Sequence, residues 1–390
     1  VTAPSLSVAA VKKYLPPKWI AAAHAENFVA ALQDGNVKFN RAEVSARLSA
    51  LREPTAKAGF AEGVSLDVEF KSVAADAADG YLPLRGLQGR VILEKGLLSF
   101  KGLTGDYGQS RLSNIDGNYR WYGAGQGALQ LRGRGDLDLA ELREQVQQGL
   151  LPASVTKAAA AVQEMEGRGS VDLAVNREAE SAPQIEGRIS LDGARFKVHD
   201  FPLTEVRGEI ALTPAEIKAE KVRALLSGSP VQIQMALKDY ADDNGTFDLT
   251  VESAGVRAGV VTRWLLSSGS LQDPGMVRGS VRYRGALGTT EGRRLTGKLD
   301  LADVQIAVRP LLQPLRDLNG RISIDEAGID FQNLKGLLVG FPAGLNGRWR
   351  FAQKPQLLFE FAAPNLDATY FYSQLNPEAA DFYANLQAVG

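Results

Sequence analysis

Along most of the chain, apolar and polar residues alternate with a period of two, the mark of strands that bury one face. The commonest carrier of this pattern is Gly-x-φ-x-φ, where φ is apolar. It occurs as Gly89-Arg-Val91-Ile-Leu93, Gly169-Ser-Val171-Asp-Leu173, Gly187-Arg-Ile189-Ser-Leu191 and Gly208-Glu-Ile210-Ala-Leu212. It recurs as Gly279-Ser-Val281-Arg-Tyr283, Gly297-Lys-Leu299-Asp-Leu301 and Gly320-Arg-Ile322-Ser-Ile324. Each copy sets two apolar side chains on one side of a strand. Charged or small polar residues take the other side, Ile92 and Ala211 excepted. One dry and one wet face is the pattern of an antiparallel sheet covered on one side only.

Helical periodicity is confined to a few places. The stretch from Val8 to Leu32 offers Val11, Ile20, Ala23, Phe28 and Leu32 as apolar contacts, and Pro16 and Pro17 divide it into two short helices. From Asp138 to Met165, Leu139, Leu142 and Val146 fall on one helix face. Gly149 and Pro152 end that helix, and the Ala-rich run Ala153 to Met165 reads as its partner. Shorter helical pieces fit Val260 to Leu266 and Asp367 to Leu386.

The spacings reveal a duplication. Gly169 to Gly279 and Gly187 to Gly297 both span 110 residues, while Gly208 to Gly320 and Gly228 to Gly340 both span 112. Pro230 and Pro342 follow at the same offset. Val206-Arg-Gly208-Glu-Ile-Ala-Leu matches Leu318-Asn-Gly320-Arg-Ile-Ser-Ile, and Leu87-Gln-Gly89-Arg-Val-Ile-Leu is an earlier, partial copy. The copies end alike. Leu129-Gln-Leu131 leads to Leu137-Asp138-Leu139, Phe247-Asp-Leu249 to Val256-Arg257-Ala258, and Phe359-Glu-Phe361 to Leu366-Asp367-Ala368. One unit is therefore a run of hairpins closed by a short helix. The chain divides into an N-terminal helical and strand segment (1–59) and a partial repeat ending in a helical hairpin (60–164). A full repeat follows (165–274), then another with a C-terminal helical segment (275–390).

Composition adds mostly exclusions. The 390 residues include 40 Gly and 17 Pro, suited to strands and turns, and 45% are hydrophobic, ample for a core. With 44 Lys plus Arg against 45 Asp plus Glu, there is no basic excess of the kind nucleic-acid binding exploits. The absence of cysteine removes disulfides, thiolate metal sites and a cysteine nucleophile. No apolar run approaches the ~18 residues of a membrane-spanning helix. The first residue is Val1, so a processed or excised segment is expected, with any anchor or signal peptide outside it.

Catalytic chemistry finds little to use. The two histidines are His24 and His199, and although His199 adjoins Asp200, no nucleophile motif accompanies the pair. Gly292-Arg-Arg-Leu-Thr-Gly297-Lys298 has phosphate-loop spacing, but Leu299 stands where Mg²⁺ needs Ser or Thr, and the residues from there on alternate like a strand. Gly123-Ala-Gly125-Gln-Gly127 joins two strands and reads as a flexible turn. Asp242-Asp243-Asn244-Gly245 is a hairpin turn signal, and in Asp136-Leu-Asp138 the second carboxylate reads as a helix N-cap. The expectation is a protein that is not an enzyme, with no metal and no cofactor.

The unit Pro83-Leu84-Arg-Gly-Leu87-Gln-Gly89-Arg-Val-Ile-Leu resembles the AsmA-like family of bacterial envelope proteins. So do its copies at Pro202-Leu203-Thr-Glu-Val206-Arg-Gly208 and Pro314-Leu315-Arg-Asp-Leu318-Asn-Gly320, and the stretches Gly187–Phe196 and Gly297–Ile306. The resemblance runs from about residue 60 onward and rests on the order and repetition of degenerate motifs. It implies a mainly β fold with a few short helices: a repeat-built, elongated, curved antiparallel sheet that forms an apolar groove. Tandem β-sandwiches are the alternative architecture. It also implies a place in the cell envelope, on the periplasmic side of the inner membrane, tethered through an anchor outside this segment. The implied role is conducting lipid acyl chains, phospholipid above all, in support of the outer membrane. The candidates for the lining are Val91, Leu93, Ile189, Leu191, Ile210, Leu212, Leu299, Leu301, Ile322 and Ile324. The competing function is a structural or adhesive β-repeat module that binds protein or glycan; neither reading names a particular protein partner.

Overall fold

The computed structural model describes residues 5–14, 26–45, 63–76, 82–120, 126–147, 162–181, 183–198, 201–240, 244–261, 275–287, 289, 292–307, 311–350 and 356–375. The fold is mainly β, as expected, with 74% of the described residues in strands and 9% in helices. Two compact units divide the chain. The first comprises Val1–Asp200, Val206–Lys218 and Lys238–Asp243; the second comprises Phe201–Glu205, Ala219–Leu237 and Asn244–Gly390.

The first unit opens with β1 (Leu6–Ser7), α1 (Val8–Tyr14) and α2 (Glu26–Ala31). A run of strands follows: β2 (Leu32–Val44), β3 (Val64–Ala75), β4 (Leu84–Glu94), β5 (Leu97–Tyr107), β6 (Ser110–Arg120) and β7 (Leu129–Asp138). Then come α3 (Leu139–Gln147), β8 (Val162–Glu166), β9 (Arg168–Arg177) and β10 (Gln184–Val198). Each of β2 to β7 pairs antiparallel with its sequence neighbour, β7 pairs with β9, and β9 with β10. The long β10 also pairs with β8, which continues the line of β9 beyond Gly167. This corrects the expected helix over Ala153 to Met165: the part from Val162 onward is strand, because β10 outruns β9 and needs a hydrogen-bonding partner. Leu32 likewise belongs to β2, while Val8–Tyr14 and Glu26–Ala31 are helical as expected; residues 15–25 and 148–161 lie outside the described residues.

Three strands contribute residues to both units: β11 (Phe201–Leu212), β12 (Glu216–Leu226) and β13 (Ser229–Lys238). The second unit then runs β14 (Thr246–Arg257), a helical turn at 258–261, β15 (Met276–Ala286), β16 (Arg294–Ile306) and β17 (Leu315–Asp325). It ends with β18 (Gly328–Leu338), β19 (Phe341–Arg350), β20 (Gln356–Ala362) and α4 (Ala368–Ser373). From β14 to β20 every strand pairs antiparallel with the next. Within each unit the sheet is curved and unclosed, and no second sheet is present among the described residues. The alternative of tandem sandwiches, which needs two facing sheets, is therefore corrected.

Local chemistry explains the ends and bends of these strands. Lys95 and Gly96, with φ of 48° and 72°, form a two-residue hairpin turn whose twist suits β4 and β5. The N-cap expected at Asp138 is present: its carboxylate accepts from the amides of Ala140 and Glu141 at 3.0 and 3.1 Å. Asp367 caps α4 in the same way.

Curvature comes from bulges that recur at one level of successive strands. The register slips between Phe70 and Val73, between Phe100 and Leu103, between Leu301 and Val304, and between Phe331 and Leu334. A residue in the left-handed region sits at each slip: Ser72, Gly102, Asp303 and Asn333, all with φ near 50°. A bulge bends its strand and sharpens the local twist. In two copies of Gly-x-φ-x-φ the opening glycine answers the bulge on the next strand. Gly89, at φ 128°, lies so close to the bulge of β5 that a Cβ there would stand 2.8 Å from Leu103 Cα. Gly320, at φ 146°, faces the β18 bulge at Asn333 and Leu334.

The fully buried side chains gather on the bulge side of each sheet. In the first unit Val8 of α1 packs with Leu32, Val37, Val68, Val73 and Ala75. In the second, Val304, Leu315, Leu318, Leu334 and Leu338 belong to a larger cluster, against which Leu366, ahead of α4, and Phe371 of α4 pack. The turns at Lys95–Gly96 and Glu326–Ala327 lie at the other, tip end of the strands, and those at Gly108–Gln109 and Val339–Gly340 lie at the bulge end.

Candidate functional site

Cross-strand register turns the alternating sequence into continuous apolar rows. In the first unit one row reads Phe39, Val68, Val91, Phe100, Gly117, Leu131, Val175 and Ile185, each residue directly opposite the next across eight strands. At ~4.8 Å between strands the row is about 34 Å long. A second row, nearer the hairpin tips, reads Leu66, Leu93, Leu98, Tyr119, Leu129 and Arg177. Directly opposed residues share a face, so one surface carries both rows.

This surface is not sealed. Among these residues Val68 alone is fully buried, and all the others are half-buried. Side chains in a closed core are packed on every side. Here each is covered by its neighbours in the sheet and retains an outward aspect.

The second unit repeats the plan with a different balance. Its row runs Val251, Val281, Gly297, Ile324, Ile329 and Trp349. Ile324 and Ile329 are buried, at 3% and 6% exposure, as members of the second unit's core cluster, whereas Val251, Val281 and Trp349 are half-buried. Leu249, Tyr283 and Leu295 form a further half-buried row toward the tips.

The ten lining candidates therefore divide. Val91, Leu93, Ile189, Ile210, Leu212 and Ile322 are half-buried, while Leu191, Leu299, Leu301 and Ile324 are buried. Those on the intervening strands were not singled out by the motif: Phe100, Leu131 and Val175 complete the first unit's long row. Their signal was the plain period of two in Leu98-Ser-Phe100 and Leu129-Gln-Leu131.

The opposite face is polar and ordered by ion pairs between neighbouring strands. Arg90 pairs with Asp67, Arg134 with Asp172, Arg282 with Asp248, Arg321 with Asp300 and Arg348 with Asp330. The hydrogen bonds from the Arg90 guanidinium hold the Asp67 carboxyl below its usual range. A shallow, open depression on this face of the first unit involves Asp116, Asn118, Arg132, Asp172, Asn176 and Glu186, with Leu212 at its border.

At the tip end of the apolar rows stand two cations. Arg177 lies directly opposite Leu129, and its Nε donates to the Gly127 carbonyl at 3.0 Å. Arg293 lies beside Gly285, with its guanidinium 5.8 and 6.0 Å from the ring centroids of Phe247 and Tyr283. Neither makes an ion pair among the described residues. Arg143 of α3 has a buried Nε without a hydrogen-bond partner.

Catalytic and metal readings gain nothing here. His24 and His199 lie outside the described residues. Among the described residues no group of three or more His, Asp or Glu could hold a metal ion, and no helix is long and apolar enough to cross a membrane. The segment with phosphate-loop spacing enters β16 at Arg294 instead of opening a helix. Comparison with family models, with curated proteins and with solved structures returns no match, so the geometry of the apolar face stands as the basis for a functional reading.

Proposed function

We propose that this chain shields lipid acyl chains on the apolar face of its sheet and lets them move along it. The observation that supports this most directly is the half-buried state of the rows from Phe39 to Ile185 and from Leu66 to Leu129. A water-soluble chain rarely leaves a contiguous apolar surface of that extent without a partner for it. Crossing eight strands at ~4.8 Å each, the long row gives acyl chains that lie along the strands a lane of about 34 Å to move across. Each methylene that leaves water contributes roughly 0.8 kcal/mol, and a sixteen-carbon chain gains about 12 kcal/mol at full burial. On a continuous lane the chain slides without repeating that desolvation, while its headgroup stays in water.

The likeness of the repeats to AsmA-like proteins extends the proposal. In that reading the segment belongs to the bacterial envelope, lies on the periplasmic side of the inner membrane, and supports phospholipid movement toward the outer membrane. It acts as a conduit, not as an enzyme, and needs no cofactor.

Site-specific photo-crosslinking tests the face assignment. A photoreactive residue at Leu131 should capture lipid in cells, and one at the adjacent Arg132, on the polar face, should not. Equal capture at both positions, or capture at neither together with lipid-free purified protein by mass spectrometry, would refute the proposal. Capture of protein or glycan at Leu131 would favour an adhesive module instead.

A further inference from the structure

We infer that the tip end of the apolar face holds an anionic headgroup, with Arg293 as its principal seat and Arg177 as the corresponding cation in the first unit. This rests on the acyl-chain proposal and adds to it an orientation: headgroup at the hairpin tips, chain directed along the strands toward the bulges.

The geometry around Arg293 carries the argument. Its Cγ lies against Gly285, whose missing side chain leaves the room, and its guanidinium is 5.8 and 6.0 Å from the ring centroids of Phe247 and Tyr283. These rings belong to the apolar face, since Tyr283 stands directly opposite Leu249 and Leu295. The guanidinium is positioned by two hydrogen bonds, from Nε to the Thr289 carbonyl at 2.9 Å and between Nη1 and the Tyr283 hydroxyl at 3.2 Å. Its Nη2 amino group makes no hydrogen bond among the described residues. The neighbouring arginines differ in this respect. Arg284 and Arg294 pair with Glu326 and Arg282 with Asp248, all directed to the polar side.

An exposed arginine on a protein surface needs no ligand. This one is distinguished by its face. A guanidinium beside aromatic rings keeps its charge and its planar fork, and that fork matches phosphate or carboxylate oxygens in a bidentate manner. Placed where an apolar lane meets water, it offers charge to the head of an amphiphile whose tail occupies the lane. Arg177 repeats the arrangement independently: it ends a row of Leu129, Tyr119 and Leu98, is fixed through Nε alone, and has no carboxylate among the described residues.

The test compares three ligands and one variant on the full chain. The ligands are hexadecyl phosphate, an uncharged hexadecyl glycoside and inorganic phosphate. The variant is Arg177→Gln with Arg293→Gln, its fold checked by circular dichroism. Hexadecyl phosphate should bind the parent chain at least about tenfold more tightly than the glycoside, the scale of one charge-assisted hydrogen bond. In the variant that preference should vanish while glycoside affinity stays unchanged. Equal affinity for the two alkyl ligands in the parent chain overturns the headgroup seat and leaves the acyl-chain reading intact. Failure of both alkyl ligands to bind removes both readings. Inorganic phosphate binding as tightly as hexadecyl phosphate would identify a free-phosphate site and overturn the orientation.

Discussion

Truncating leucines at two positions of the first unit separates an open apolar face from a closed core. Leu139 begins α3 and is 2% exposed, whereas Leu131 lies mid-row on β7 and is half-buried. Leu139→Ala removes three fully buried carbons, worth about 2.4 kcal/mol at roughly 0.8 kcal/mol each. The vacated space adds a cavity term, which brings the expected loss to about 3–5 kcal/mol. Leu131→Ala removes the same carbons from a site covered on one side. About half the transfer energy is lost, and no enclosed cavity forms because the space already opens to solvent, so the cost is about 1 kcal/mol. Native-state hydrogen exchange, followed on peptides of β6, β7 and β9, reads the local stability without assuming that both units unfold together. A Leu131→Ala cost as large as that of Leu139→Ala would mean that another layer seals the row. The acyl-chain proposal would then fail.

Two further outcomes are expected of the same structure. Gly320→Ala would place a Cβ 2.9 Å from Leu334 Cα in a backbone conformation at φ 146° that other residues avoid, and should destabilise the second unit by about 1–3 kcal/mol in thermal unfolding. A cost no larger than that of an exposed glycine elsewhere would refute the account of the bulge. The Asp67 carboxyl, held below its usual range by Arg90, stabilises the fold above about pH 4 and loses that contribution as pH falls through its lowered value. In Arg90→Met the carboxyl should titrate higher by NMR, and its stability gap from the parent chain should narrow on acidification; a gap that is constant with pH would contradict the assignment.

How far the sequence foretold this depends on whether a feature is local. Strand alternation is written residue by residue, so Gly89 to Leu93 or Gly297 to Leu301 declare both their conformation and their dry side. A cap such as Asp138 is equally local, needing one carboxylate and two following amides. The bulges were not legible. Ser72, Asp303 and Asn333 take left-handed conformations because the partner strand meets them there, and isolated Asp, Asn or Ser residues occur throughout the chain. The strand at Val162 was missed for a similar reason, since its partner is the far end of β10. The division of the lining candidates was also hidden. Leu299 and Ile322 carry the same motif, yet the cluster beneath α4 buries the first and leaves the second half-covered.

An apolar face left open cannot rely on a sealed core to fix its register, and the polar face supplies what is missing. A slip of one residue between two strands would send every apolar side chain of one of them to the wet side. Asp172 stands opposite Arg134, Asp300 opposite Arg321, and Asp330 opposite Arg348. Each exposed pair contributes little to stability, about 0–1 kcal/mol. A one-residue slip, however, would separate the charges and turn an arginine or aspartate toward the dry face, which costs far more than the pair is worth. The bulges act in the same direction, because a left-handed residue on one strand and a positive-φ glycine on the next fit together at one register only. Register on one face is thus held by devices on the other and at its margin, leaving the apolar rows aligned.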